Sequence, residues 1–510
     1  MDLRTEIGQH LVSGFPGETI SDEFISAVKE YRIGNVILFA RNIHSKEQLS
    51  LLCRNIQSLI RENTGFDAMI FLDQEGGMVT RLSSDATNVP GQMAICATAN
   101  LQNAHDCAYL TAKELRAMGV NCNLAPVLDV NENKDNPVIG VRSFSDLSKV
   151  VAQYGTSMFQ GYEEGGVLSC AKHFPGHGDT NVDSHLSLPV VNKTREELQG
   201  QLYPFKQLIK AGIPAVMTSH ILFPAYEEEA IPATISRKII NGLLRTELGF
   251  KRLVLSDCME MQAIKDYYGT VPSCVRAIGA TVDMVFLSHH VDQACLASQA
   301  IEQGLRDNVI DGSEFSSSTE RIIKEKKVLA GIEPEDLSIV GSAAHKAISE
   351  RVRNESLTIV QGKIPQLGEH PLFISTEAYR CTNVGNDATG FSFSKALASR
   401  FPGSLSAIIT HEPTKAEIEQ VLSLVPAATS IWFGTYNGHL FPGQLQLADT
   451  LAKFGKSLTL ITLRNPYDLA FVHNATCMIA AWEYTPDIVA SIALLLSGKI
   501  QATGKLPVRL

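Results

Sequence analysis

Residues 171–185 concentrate the side chains in this sequence that could do chemistry. They read Ala-Lys-His-Phe-Pro-Gly-His-Gly-Asp-Thr-Asn-Val-Asp-Ser-His, with histidines, aspartates and a lysine in close succession. The apolar run 166–170 precedes them and predicts a short buried strand. Pro175 and the glycines on either side of His177 prevent a helix from continuing through the stretch. The pattern therefore predicts a strand that ends by delivering polar side chains into a site.

Metal binding is one chemistry that this stretch could support. His173 and His177 are four residues apart, and His185 and His220 could complete a zinc site. On a helix the first two would share a face, but Pro175 lies between them. No glutamate follows His173, as the zinc-protease motif requires. We therefore predict no metal.

Acid–base chemistry fits the end of the stretch better. Asp183 and His185 are two residues apart, so the carboxylate could hold one imidazole nitrogen and leave the other to exchange a proton with a substrate. The alternative is a solvated pair in an ordinary loop. The position of the pair, just after a polar strand end, favours proton transfer.

Asp257 is the second candidate for chemistry, because it ends the apolar run Leu-Val-Leu-Ser at 253–256. A carboxylate there could be an ion-pair partner or a helix N-cap. Opposite an acid–base group, it could instead attack an anomeric carbon as a covalent nucleophile. Carboxylates and cations that could grip sugar hydroxyls are Asp73, Arg142, Lys172 and His173, with Arg41 and His177 as helpers.

The elements that must position these residues alternate between apolar runs and helical patterns. Eight such runs lie at 9–15, 35–40, 68–73, 120–125, 168–173, 215–220, 252–257 and 281–288. This rhythm predicts a parallel sheet closed into a (β/α)8 barrel over residues 1–335, with an open doubly wound sheet as the alternative. Six of the runs end in polar or charged residues, which favours the barrel, because barrel enzymes place catalytic groups at the carboxyl ends of strands.

Residues 336–510 follow a different plan. Six further strand candidates alternate with helices, which predicts a smaller open-sheet αβα sandwich domain. This part of the chain contains neither a GxGxxG motif after a strand nor a P-loop, so we predict no nucleotide cofactor. No other cofactor is indicated.

Bulk composition argues against several classes of partner. The 510-residue chain carries a formal net charge of −10, which gives no support to nucleic-acid binding. No apolar run reaches the roughly 18 residues that predict a membrane span. The ten cysteines form no CxxC pair, and the N-terminus lacks a signal-peptide pattern, so we expect a cytoplasmic protein with reduced thiols.

Several motifs together resemble one known family. They are Leu-Phe-Ala-Arg-Asn at 38–42, Leu-Asp-Gln-Glu-Gly-Gly-Met-Val-Thr-Arg at 72–81, Asn-Pro-Val-Ile-Gly-Val-Arg-Ser-Phe at 136–144, the stretch 172–185, Ser-Asp-Cys-Met-Glu-Met at 256–261 and Gly-Lys-Leu-Pro-Val at 504–508. In order and spacing they resemble the two-domain β-N-acetylglucosaminidases of glycoside hydrolase family 3. The resemblance covers nearly the whole chain.

The resemblance implies a retaining exo-glycosidase that releases terminal GlcNAc from chito-oligosaccharides or muropeptides. It implies that Asp257 is the nucleophile and that Asp183 and His185 form the acid–base dyad. It also assigns a substrate-binding role in the −1 subsite to Asp73, Arg142, Lys172, His173 and His177. Cys258 stands where an acidic residue is common in this branch.

Three alternatives remain open from the sequence. A family 3 β-glucosidase would draw its acid–base from the second domain, and the dyad at 183–185 argues against it. A related branch transfers the sugar to phosphate instead of water. A non-catalytic sugar-binding module on the same barrel would need no nucleophile, so the presence of Asp257 argues against that reading.

Overall fold

The computed structural model describes residues 1–180, 188–377 and 390–510. Eight parallel strands close a barrel in chain order. They are β1 (Leu11–Ser13), β2 (Asn35–Leu38), β3 (Met69–Leu72), β4 (Cys122–Asn123), β5 (Leu168–Phe174), β6 (Ala215–Thr218), β7 (Leu253–Cys258) and β8 (Met284–Leu287). Each predicted apolar run coincides with one strand, so the barrel prediction is confirmed and the open sheet is wrong.

Helices surround the barrel, and local signals fix their ends. In α3, the Ser45 hydroxyl accepts a hydrogen bond from the Gln48 amide, and Gly65 ends the helix with a φ of 78°. The helices are α1 (Leu3–Gln9), α2 (Asp22–Tyr31), α3 (Lys46–Thr64), α4 (Gln92–Ala97), α5 (Leu101–Ala117), α6 (Ser148–Glu164), α7 (Gln199–Ala211), the π-helix Lys238–Glu247, α8 (Gln262–Tyr268), α9 (Thr270–Gly279), α10 (Val291–Arg306) and α11 (Gly312–Ala330).

Two apolar layers hold the barrel together. One fills its interior with side chains from all eight strands, including Phe71 and Phe286, whose ring centroids lie 5.0 Å apart. The other packs the outer face of the strands against the helices. With the interior filled by side chains, polar groups that need solvent or substrate must collect at the carboxyl ends of the strands.

The second unit, called here the C-terminal domain, is a six-stranded sheet with the order β11-β10-β12-β13-β14-β9, in which β9 is antiparallel. Its elements are α12 (Ala343–Ser356), β9 (Thr358–Gly362), β10 (Pro371–Thr376), α13 (Phe393–Ala398), β11 (Leu405–Ile409), α14 (Lys415–Leu424), β12 (Ser430–Thr435), α15 (Pro442–Ala452), β13 (Leu458–Thr462), β14 (Cys477–Ala480) and α16 (Pro486–Leu496). The predicted open-sheet domain is confirmed. The boundary at 335/336 falls between α11 and α12 and stays a prediction.

The C-terminal domain packs on the barrel segment 131–146. Val141 and three residues of α4 join the apolar core of the C-terminal domain. The chain's last residues also return to the barrel, where the Lys505 amide donates to the Ala97 carbonyl at 2.8 Å. This shared core places the two domains in direct contact beside the polar end of the barrel.

Over the described ranges, no helix combines the length and the apolar character that a bilayer span requires.

Candidate active site

A buried ion network joins strand ends β3 and β5. The Lys172 ammonium lies 2.8 Å from Asp73 Oδ1 and 2.6 Å from Glu75 Oε1. Arg142, on the 3₁₀ turn Gly140–Arg142, grips Glu75 through two parallel hydrogen bonds of 2.8 and 2.9 Å. The structure therefore brings three of the predicted site residues, Asp73, Arg142 and Lys172, into one polar cluster with Glu75.

Burial and pairing together keep this network charged. Burial by itself would lower the pKa of Lys172, but Asp73 and Glu75 raise it above its ordinary value. Burial would likewise raise the pKa of Glu75, but Arg142 and Lys172 hold it well below its usual range. The Asp73 side chain is 15% exposed against 3% for Glu75, so Asp73 is the carboxylate with an edge open to a ligand.

Replacing Glu75 by alanine is expected to lower the free energy of unfolding by about 3–5 kcal/mol, because it leaves Lys172 and Arg142 buried with one carboxylate between them. Chemical denaturation monitored by fluorescence measures the change. The matched control is Glu302→Ala, which breaks an i,i+4 pair with the largely exposed Arg306 and should cost less than about 1 kcal/mol. Equal losses in both variants would show that the network contributes no special stability.

Two of the three histidines of residues 171–185, His173 and His177, are organised by a buried carboxylate, Asp129. His173 Nδ1 lies 2.7 Å from Asp129 Oδ2, and the backbone amides of His173 and His177 donate to Oδ1 at 3.2 and 2.7 Å. His177 Nδ1 contacts the Thr180 hydroxyl at 2.9 Å. Because the ionised Asp129 is an acceptor, the hydrogen of His173 is assigned to Nδ1, which leaves Nε2 for a ligand.

Burial, reinforced by the neighbouring His173, lowers the pKa of His177 to about 4. An unfolded chain takes up the proton near pH 6.5, whereas the folded chain stays neutral until about pH 4, so stability is lost as the pH falls through this window.

When the pH is lowered from 7 to 5, we expect the parent protein to lose roughly 2 kcal/mol more of its unfolding free energy than the His177→Gln variant. Urea denaturation at the two pH values measures it, with the exposed His473→Gln as the control. A pH slope unchanged from that of the parent protein would contradict the assignment.

Asp257 lies next to the last residue of β7, four strands from β3 in the closed barrel, so it faces the ion network from the opposite side of the barrel mouth. One of its carboxylate oxygens accepts a hydrogen bond from the Cys258 amide at 2.7 Å. His220 Nε2 lies 2.9 Å from the Cys258 carbonyl and fixes the turn that follows. Burial raises the pKa of the Cys258 thiol to about 12, so a neutral group stands beside Asp257.

Arg41 lies at the ends of β2 and β8. Its guanidinium donates to the Ser288 carbonyl at 2.7 Å and stacks 4.4 Å from the centroid of the Phe39 ring. These contacts hold it on the rim of the barrel mouth. Its role as a helper in substrate binding stays a prediction.

Asp183 and His185 lie outside the described residues. The chain before them is anchored, because the Asn133 side chain donates to the Thr180 carbonyl at 3.2 Å. The predicted acid–base role of the dyad stays a prediction.

Residues 2–324 match the family model described as "Glycosyl hydrolase family 3 N terminal domain". The chain belongs to glycosyl hydrolase family 3. It is therefore a glycoside hydrolase, and the family and enzyme class predicted from the sequence are confirmed.

Similarity to individual proteins and solved structures extends over nearly the whole chain. Beta-hexosaminidase A of Pseudoalteromonas piscicida is 30% identical over an alignment that covers 96% of this chain and 91% of that protein. The structure of a family 3 beta-N-acetylglucosaminidase from Paenibacillus sp. str. FPU-7 superposes with a TM-score of 0.93 at 33% identity, covering 100% of this chain and 99% of that one. A beta-glucoside phosphorylase with 20% identity and a TM-score of 0.82 shares the fold.

Two residues of this family 3 site were not among the predicted site residues. Glu75 joins Lys172 to Arg142, and Asp129 holds both histidines. Both follow apolar runs in the sequence, so their positions at strand ends were visible. Their partners were not, because these pairings join segments that lie between 44 and 99 residues apart in the chain.

Within the described ranges, no group of three or more histidine, cysteine or acidic side chains is arranged to hold a metal ion; His185, one of the four candidate zinc ligands, lies outside these ranges. His173 and His177 instead use their backbone amides and one ring nitrogen on Asp129.

Proposed function

We propose that this family 3 enzyme is a retaining exo-β-N-acetylglucosaminidase that releases terminal GlcNAc from chito-oligosaccharides or muropeptides. The observation that carries the proposal is the full-length likeness to the Paenibacillus beta-N-acetylglucosaminidase. The ion network centred on Lys172 supports it, because polyhydroxylated sugars need charged groups with fixed geometry.

The −1 subsite in this proposal is built from the ends of β3 and β5. Asp73, through its open edge, and His173 Nε2 accept hydrogen bonds from sugar hydroxyls, while the Lys172 ammonium donates to a sugar oxygen. Arg142 and Glu75 fix the Lys172 side chain from behind. Since both cations are paired and buried before substrate arrives, little reorganisation accompanies binding.

Asp257 acts as the nucleophile in the proposed double displacement. Its carboxylate attacks the anomeric carbon as the bond to the leaving oxygen breaks, and His185 gives that oxygen a proton. His185 then takes a proton from water, the water oxygen attacks the anomeric carbon, and the Asp257 carboxylate leaves. Asp183 orients the imidazole and favours its protonated form.

A histidine suits this position electrostatically. An imidazolium that donates its proton becomes a neutral imidazole, so it places no second negative charge near Asp257, whereas two carboxylates would repel each other and raise a pKa. The neutral Cys258 thiol beside Asp257 fits the same arrangement.

Turnover of p-nitrophenyl N-acetylglucosaminide and of the matching glucoside, measured side by side, tests the proposal. We expect kcat/KM to favour the N-acetylglucosaminide by at least about 100-fold, because a site built to bind the acetamido group loses those contacts with the glucoside. A preference for the glucoside would assign a β-glucosidase. Formation of a sugar 1-phosphate on adding phosphate would assign a phosphorylase.

The natural substrate class is resolved by a second comparison. Chitobiose and a GlcNAc-anhydromuramyl compound share the sugar of the −1 subsite and differ beyond it. The substrate with the higher kcat/KM identifies the class of chain that the enzyme shortens.

A further inference from the structure

Residues 136–142, the segment that carries Arg142, are held by contacts from the barrel and from the C-terminal domain. On the barrel side, the Asn136 side-chain oxygen accepts from the Val138 and Ile139 amides at 2.9 Å each, and Asn136 Nδ2 donates to the His177 carbonyl at 2.8 Å. These bonds tie the segment to the loop that contains His177. They leave the next turn, Gly140–Arg142, to be fixed by other contacts.

Asn465 of the C-terminal domain fixes that turn. It follows β13, is 1% exposed, and its side-chain oxygen accepts a hydrogen bond from the Val141 amide at 3.0 Å. Gly140 has a φ of 46°, and a Cβ there would lie 2.2 Å from the same Asn465 oxygen. The two segments therefore approach as closely as a glycine allows, although 324 residues separate Asn465 from Val141.

A second set of hydrogen bonds links the turn Gly140–Arg142 to the C-terminal domain. The Tyr467 hydroxyl, also from the C-terminal domain, lies 2.6 Å from Asn131 Nδ2, and Asn131 Oδ1 accepts from the Gly140 amide at 3.2 Å. The side chain of Val141 is buried in the core of the C-terminal domain. The backbone one residue before Arg142 is thus anchored outside the barrel.

The partner of Arg142 is anchored in the same way. The turn after Glu75 includes Gly77, whose carbonyl accepts from the Asn88 side chain at 2.9 Å. The Asn88 carbonyl accepts in turn from Arg353, which pairs with the buried Glu483 at 2.8 Å. Both halves of the Arg142–Glu75 pair therefore rest on the C-terminal domain.

We propose that Asn465 is a positioning residue for the sugar site, acting through the Val141 amide on Arg142 and, through Glu75, on Lys172. This assigns a task to the C-terminal domain: it sets the geometry of the −1 subsite. The inference rests on the proposed function, because it takes Arg142 and its partners as the sugar-binding groups.

The test compares variants of the full-length enzyme for binding of an N-acetylglucosamine-configured hydroximolactone, which occupies the −1 subsite. Asn465→Leu keeps the approximate size and removes the acceptor, and Asn465→Asp keeps an oxygen at the same place. We expect the Kd to rise about tenfold in Asn465→Leu, because a buried amide loses its partner, and less than about threefold in Asn465→Asp.

Thr414→Ala is the control for stability alone. The Thr414 side chain caps α14, far along the chain from the contact with Val141, so its loss lowers Tm and leaves the Kd unchanged. If Asn465→Leu does not fold, Asn465→Ala removes the same acceptor without introducing a branched side chain, and the same rise in Kd is expected.

The decisive comparison repeats Asn465→Leu in an Arg142→Ala background. Because Asn465 acts through Arg142, adding Asn465→Leu to the Arg142→Ala variant should change the Kd less than about twofold. An unchanged Kd in the single variant, or the same tenfold effect in both backgrounds, overturns the inference. A parent enzyme that neither binds this inhibitor nor hydrolyses p-nitrophenyl N-acetylglucosaminide would instead overturn the proposed function.

Discussion

Replacing Asp257 by alanine is expected to reduce kcat for p-nitrophenyl N-acetylglucosaminide by about 10⁴-fold or more, because the variant lacks the carboxylate proposed to form the covalent intermediate. Azide fits the space left by the carboxylate and can attack the anomeric carbon directly. Added azide should therefore restore part of the turnover with this activated leaving group and yield the glycosyl azide of inverted configuration.

The control for Asp257→Ala is Asp266→Ala, which removes an exposed carboxylate on α8, the next helix in the chain. It should retain activity within about twofold, as surface substitutions away from a site usually do. An Asp257→Ala enzyme that is folded, as shown by its Tm, and still turns over at the parent rate would remove Asp257 from the mechanism.

Replacing His185 by alanine is expected to have an effect that depends on the leaving group. With chitobiose, whose leaving oxygen needs a proton, the rate should fall by about 10²–10⁴-fold. With a dinitrophenyl leaving group, which departs without a proton, the first step should be nearly unaffected and the intermediate should accumulate. Azide should then speed the second step and yield a glycosyl azide of retained configuration.

The exposed His473→Ala provides the matched control and should alter neither substrate's rate by more than about twofold. Equal losses on both substrates in His185→Ala would contradict an acid–base role and indicate a binding role. Comparing the two azide products separates the tasks of Asp257 and His185, since each variant predicts the opposite anomer.

The fold could be predicted from the sequence because its signals are local. Each strand of the barrel is a short apolar run between turn residues, and β5 was visible as the apolar lead into Lys172. The polar residues at strand ends were visible for the same reason. Asp73, Lys172 and His173 could therefore be assigned to one rim before any contact was known.

The contacts that organise the site could not be predicted, because they join distant parts of the chain. Whether Lys172 pairs with Asp73 alone or also with Glu75 depends on side-chain directions after β3. Asn465 looks like an ordinary turn residue before a proline, and its hydrogen bond to Val141 arises from how two domains pack. The hydrogen bond from Arg41 to the Ser288 carbonyl, which holds Arg41 on the rim, likewise joins distant parts of the chain.

We expect the sugar to be carried on Asp257 during turnover, and the covalent intermediate can be trapped. A 5-fluoro N-acetylglucosaminyl fluoride forms the intermediate and slows its hydrolysis, because the fluorine destabilises the positive charge that develops on the sugar. After peptic digestion, mass spectrometry of the labelled enzyme should find one added sugar on the peptide that contains Asp257. A label on any other residue, or full turnover of the reagent with no labelled peptide, would show that Asp257 does not carry the sugar.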